Sequence, residues 1–150
     1  MKRALALLLA AGCASGAPAA APPAAPAPAA AKVPDAEVRT LEGKPVLLSS
    51  LRAEKPVLLL FTSSWCSTCR KEIPLVNEYA KTHAVVAVFT ADQREDVEYL
   101  RRETGFTYPA YLDDGRAARA FGIKMSPTFI EVEGDGTILY RGDKPPGKSP

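Results

Sequence analysis

The chain has 150 residues, 47% of them apolar, with 19 lysines and arginines against 17 acidic residues and three cysteines. That length holds one compact domain and a tail but not two full domains. The near balance of charge excludes the clustered basic excess of a nucleic-acid binder, and three cysteines are too few to staple a small disulfide scaffold.

Residues 1–12 read MKRALALLLAAG, with Lys2 and Arg3 ahead of an apolar run over 4–11. The run is too short for a bilayer core, which takes roughly 20 helical residues, and it suits the apolar region of a secretory signal peptide. Ala10, Ala11 and Gly12 lead directly into Cys13. This resembles the lipobox of bacterial lipoproteins, in which that cysteine is lipidated and becomes the mature N-terminus. The resemblance departs at Ala10, where the family prefers leucine. The alternative is an ordinary signal peptide cut after Cys13, with Ser15 and Ala17 as the small-residue pair. Residues 17–31 are all alanine or proline, a composition that favours extended conformers and reads as a semi-rigid spacer of roughly 3 Å per residue. Lys2 and Arg3 account for the whole net charge of +2, so the chain from Lys32 onward is neutral.

From there strand and helix alternate. Residues 41–51 carry a Glu42-Gly43 turn and a short strand around Val46, Leu47 and Leu48. The unbroken apolar run 57–62 predicts a central strand buried on both faces, and 85–89 predicts a second. Between them, residues 69–81 have Ile73, Val76 and Ala80 at helical spacing. A strand–helix–strand unit with a right-handed crossover and a parallel pair follows. Residues 94–103 predict a second helix ended by Gly105, 108–112 a short strand, and 115–121 a short helix ended by Gly122. Residues 128–133 and 137–141, around Gly134-Asp135-Gly136, predict a hairpin, and 144–150 a loop. The class is α/β. His83 reads as a surface residue at a helix C-terminus, Arg141-Gly142-Asp143 as a chance adhesion tripeptide, and Arg101, Arg102, Arg116 and Arg119 as solvated helix faces.

Trp65-Cys66-Ser67-Thr68-Cys69 stands where the first buried strand gives way to its helix. Two cysteines three apart across a helix N-terminus can close a small disulfide. The first faces unpaired amides and the positive end of the helix dipole, which favour thiolate and make Cys66 the attacking group. Cys69, one turn in, is expected to be more buried and to resolve the mixed disulfide. Zinc is disfavoured because Cys13 is committed elsewhere and His83, the only histidine, has no partner at ligand spacing. A purely structural disulfide is disfavoured because so small a ring constrains little chain entropy.

The stretch Phe61-Thr62-Ser63-Ser64-Trp65-Cys66-Ser67-Thr68-Cys69-Arg70-Lys71-Glu72-Ile73-Pro74 resembles the redox motif of the thioredoxin fold, and more narrowly the TlpA/ResA-like thiol-disulfide reductases of the bacterial envelope. Gly122-Ile123-Lys124-Met125-Ser126-Pro127-Thr128-Phe129 matches a second motif in the right order. The hairpin at 41–46 and the stretch 104–121 match the subfamily's extra elements. The resemblance covers roughly residues 33–143.

It implies a central mixed sheet flanked by helices, with an N-terminal hairpin, an inserted helix and strand, and no final C-terminal helix, which leaves one sheet face less covered. It implies a cis Pro127 against the cysteine pair, a Ser126 backbone that pairs with extended substrate, and Trp65 as an apolar collar. Glu72 takes the acidic position after CxxC that tunes the cysteines; a buried carboxylate there would raise thiol pKa. Leu60 replaces the buried acid of many cytoplasmic thioredoxins, and Pro74 would kink the helix. The peroxidase pattern Thr-x-x-Cys gives way to CxxC.

The expected organisation is thus a signal peptide (1–12), a lipidated Cys13 with its spacer (13–31), a thioredoxin-like domain (32–143) and a tail (144–150). The expected function is that of a monomeric periplasmic reductase of protein disulfides. It needs no cofactor or metal, binds no nucleic acid, sits on a membrane through its lipid and is recycled by a membrane thiol donor. The rival is a Cu(I) metallochaperone using the soft thiolates of Cys66 and Cys69 with Met125 nearby. Copper-delivery relatives on this fold, however, usually space their cysteines wider and add a histidine.

Overall fold

The computed structural model describes residues 31–52 and 55–147. The proposed signal peptide, Cys13, nearly all of the spacer and the last three residues lie outside them.

Two short strands, β1 (Glu37–Arg39) and β2 (Pro45–Leu47), form an antiparallel hairpin. β3 (Val57–Thr62) leads to α1 (Ser67–Tyr79), β4 (Ala84–Thr90), α2 (Arg94–Thr104), β5 (Ala110–Asp113), α3 (Arg116–Ala120), β6 (Thr128–Val132) and β7 (Ile138–Gly142). The strands make one mixed sheet in the order β2-β1-β5-β4-β3-β6-β7. β3 runs parallel to β4, and β4 parallel to β5, while β6 and β7 add antiparallel strands beyond β3.

β3 is buried along its whole length, as a doubly covered strand requires. Its side chains alternate between two cores. Val57, Leu59 and Phe61 join Val86, Val88, Phe121 and Ile130 on the α3 face. Leu58 and Leu60 join Ile73, Val76, Phe89, Val97 and Leu100 on the face of α1 and α2. This two-sided covering is the α/β arrangement expected from the sequence.

The differences from expectation are local. Strand β1 is not signalled by periodicity and forms because Val38 is buried and Arg39 pairs with Leu112. Leu48 belongs to a 3-10 turn (Leu48–Leu51) rather than to a strand, since Asp35 accepts bonds from the Ser49 amide and hydroxyl. The strand expected at 108–112 starts at Ala110, two residues later, and Tyr108 packs beside Phe106 in the core. Arg101 is not a freely solvated residue: its guanidinium lies over the Phe106 ring at 4.8 Å. Arg141 donates to the carbonyls of Phe121 and Gly122 at 2.6 and 3.2 Å, so the tripeptide's arginine locks the loop after α3. His83 is exposed and stacks on Tyr79, ring centroids 3.9 Å apart.

Among the described residues no helix follows β7. Beyond β7, Tyr140 donates to the Lys144 carbonyl at 2.8 Å, Pro145 is buried, and residues 145–147 line a depression beside Leu75 and Tyr79 of α1. At the opposite edge of the hairpin, Lys32 bridges Thr137, tying the start of the domain to the β6–β7 turn. No helix of the described residues is long and apolar enough to cross a membrane.

Candidate active site

β3 delivers the chain to the C-terminal edge of the sheet, where Ser63, Ser64 and Trp65 turn it into α1. Cys66 is the N-cap of α1, in extended backbone, and its sulfur accepts a hydrogen bond from the Cys69 amide at 3.2 Å. A sulfur therefore occupies the place a serine or aspartate oxygen usually takes at a helix start. The first turn carries no carboxylate, so the positive end of the helix is not neutralised by an acid. Cys66 and Cys69 form a disulfide with Cα atoms 5.2 Å apart. Cys66 is partly exposed, whereas Cys69 is only 4% exposed. That asymmetry suits one sulfur to meet a partner and the other to act from behind.

The second motif lies directly beside the first. The Ser126–Pro127 peptide is cis and Pro127 is buried. The Ser126 carbonyl stands 3.6 Å from the Cys66 sulfur. Thr128 closes the loop by donating to the Met125 carbonyl at 2.7 Å, and it enters β6 opposite Phe61. Sheet pairing thus brings together two motifs sixty residues apart.

Trp65 and Met125 are 73% and 65% exposed and both line a shallow groove of about 360 Å³ that also takes in Ala91, Ala118 and Ile123. Trp65 is a wall of this groove rather than core. A larger depression, about 510 Å³, lies beside Leu75, Tyr79, His83 and Pro145 and holds none of these groups.

Glu72 follows one turn after Cys69, and its side chain is only 14% exposed. Its Oε2 is buried without a hydrogen-bond partner among the described residues, and Oε1 lies 3.9 Å from the Lys144 ammonium. Leu60, at 4% exposed, fills the place of an acid with hydrocarbon.

One residue absent from the sequence reasoning supports the whole corner. Asp92 is buried and accepts bonds from the Ser64 amide at 2.9 Å and from the Ser64 hydroxyl. Ala91 reaches it through a left-handed backbone, φ 61°, a conformation an alanine adopts only under constraint. Arg70 completes the loop by donating to the Ser64 carbonyl at 3.0 Å. Nothing in the local pattern marks Asp92, because its partner lies 28 residues earlier.

Residues 29–141 match the family model described as AhpC/TSA. The chain belongs to the AhpC/TSA family. Within it, the chain is 29% identical over 114 residues to thiol-disulfide oxidoreductase ResA of Bacillus thuringiensis (strain Al Hakam), covering 72% of this chain and 65% of that one. It is 32% identical over 114 residues to thioredoxin-like protein YneN of Bacillus subtilis (strain 168), covering 71% and 66%. The chain therefore spans about two thirds of the length of the curated relatives it matches. Among solved structures it is similar to a thiol:disulfide interchange protein of the thioredoxin family from Chlorobium tepidum, with TM-score 0.66 at 25% identity, covering 79% of this chain and 89% of that one. The fold is thioredoxin-like, as the two motifs imply, and AhpC/TSA membership spans nearly the whole described domain.

Proposed function

We propose that this chain is a thiol-disulfide oxidoreductase that reduces protein disulfides on the periplasmic side of a bacterial envelope. Cys66 is the nucleophile and Cys69 the resolving thiol. Glu72 tunes the pair, while Trp65, Ser126 and Pro127 receive the substrate. Cys13 carries the lipid that, with the spacer over residues 13–31, holds the domain at a membrane. A membrane thiol donor returns the pair to the dithiol form.

The observation that carries the reading is the placement of the Cys66 sulfur. It accepts from the Cys69 amide at 3.2 Å and faces the Ser126 carbonyl at 3.6 Å. In that position the helix N-terminus stabilises a thiolate. The thiolate attacks one sulfur of a substrate disulfide, and Cys69 then attacks Cys66 and releases the reduced substrate. The direction of exchange follows the relative potentials of the two couples, and the resemblance to the TlpA/ResA-like reductases favours the reductive one.

The test is reduction of insulin disulfides, with the redox potential of the pair measured alongside, for the wild type, Cys66→Ser and Cys69→Ser. Turnover by the wild type and its loss in Cys66→Ser are expected. An inactive wild type that binds Cu(I) tightly and stoichiometrically would replace the enzyme reading with a metallochaperone.

A further inference from the structure

The groove beside Cys66 has an uneven chemistry. Its walls are the exposed Trp65 and Met125 with Ala118 and Ile123, and the only charged residue on them is Lys124. Lys124 is exposed and makes no salt bridge among the described residues. Outside the groove, Arg70 is held against the Ser64 carbonyl and the next residue, Lys71, is exposed. Of the carboxylates in this region, the exposed Asp143 lines a separate depression that also takes in Lys124 and Met125. Glu72 is largely covered, and Asp92 is buried with both oxygens engaged by Ser64. A domain with no net charge from Lys32 onward therefore lines the groove beside its reactive sulfur with one cation and, among the described residues, no acid.

We propose that this groove selects disulfide-bearing segments with an acidic side chain next to the reacting cysteine and an apolar one beside it. The acid pairs with Lys124, and the apolar side chain lies against Trp65 and Met125. The proposal rests on the oxidoreductase reading and names its substrate class. In the reaction it serves, the Cys66 thiolate bonds to one substrate sulfur and the substrate S–S bond breaks. The departing sulfur takes up a proton. Cys69 then loses its proton and bonds to Cys66, and the second substrate sulfur leaves and is protonated. The substrate gains two electrons and two protons, and the cysteine pair is oxidised to the disulfide.

Complementary charge at an exposed rim acts on encounter and register more than on the chemical step, and it weakens with salt. One such pair changes kcat/KM by about threefold. A nucleic acid is a poor fit, because a groove of about 360 Å³ with one cation takes side chains rather than a phosphate backbone.

The test uses the full chain, reduced with dithiothreitol and then freed of it. The probes are two disulfide peptides identical except for Glu or Lys beside the attacked cysteine. The Glu peptide is expected to react about threefold faster at low ionic strength, with the preference shrinking at high ionic strength and inverting in Lys124→Glu. The salt dependence of the wild type keeps the proposal testable if that substitution disturbs the loop. Reduction of both peptides at equal rates overturns the proposal and leaves the oxidoreductase reading standing. Failure to reduce either peptide, or insulin, overturns both.

Discussion

Asp92 takes both the amide and the hydroxyl of Ser64, two residues ahead of Cys66. The contact ties the end of β4 to the loop after β3, so the backbone that presents the nucleophile is fixed from a neighbouring strand. Asp92→Ala leaves two buried donors unpaired, and a loss of about 2 kcal/mol in stability is expected. Disulfide reduction is expected to fall further than the unfolded fraction explains, because the Trp65–Cys66 corner loses its anchor. Urea unfolding and insulin reduction, measured together, check this. Full specific activity in the folded fraction would show that Asp92 is structural only.

Glu72 carries a buried oxygen with no partner among the described residues, an arrangement that costs stability. Glu72→Leu is therefore expected to raise stability by about 1 kcal/mol. Glu72→Gln removes a negative charge one turn from Cys69, so thiolate formation becomes easier and the pH profile of disulfide reduction moves to lower pH. The paired measurements are a denaturation curve and the pH dependence of kcat/KM. A gain in stability with an unmoved profile would mean that Glu72 does not act on the cysteines.

How much of this was legible in the sequence depends on the distance between partners. β3 and β4 are runs of consecutive buried side chains, and α2 ends at a glycine with φ 69°, so local pattern was enough. β1 has one buried residue in three and no usable period; it exists because β5 offers an edge. The cysteine pair and the Ser126-Pro127 motif were readable as motifs, but their 3.6 Å approach is made by β3–β6 pairing. Asp92 was invisible because its neighbours Ala91 and Gln93 say nothing of Ser64. The exposure of Trp65 and Met125 was equally hidden, since hydrophobic residues alone do not announce a surface groove.

Acid is expected to loosen the attachment of the segment at Lys32 to the β6–β7 turn. Asp135 accepts from the Thr137 amide and hydroxyl at 2.8 and 3.0 Å and from Lys32 at 3.1 Å. The Thr137 amide is the largest influence, and together these bonds hold its carboxyl at about 2. A carboxyl lowered in the folded state contributes stability that is present above the unfolded pKa of about 3.9 and is lost as pH falls toward the folded value. The thermal midpoints of wild type and Asp135→Asn should therefore differ near neutral pH and converge as the pH approaches 2. A difference that is constant across that range would remove Asp135 from the account.

The most direct measurement is capture of the covalent intermediate. Reduced Cys69→Ser is incubated with a disulfide substrate, and the adduct is mapped by peptide mass spectrometry without reductant. Attack by Cys66 without a resolving thiol predicts a stable mixed disulfide at Cys66, with no such adduct in Cys66→Ser. An adduct at Cys69 when Cys66 is replaced, formed as fast as the first, would contradict the assignment of the nucleophile. No adduct in either variant would contradict thiol-disulfide exchange itself.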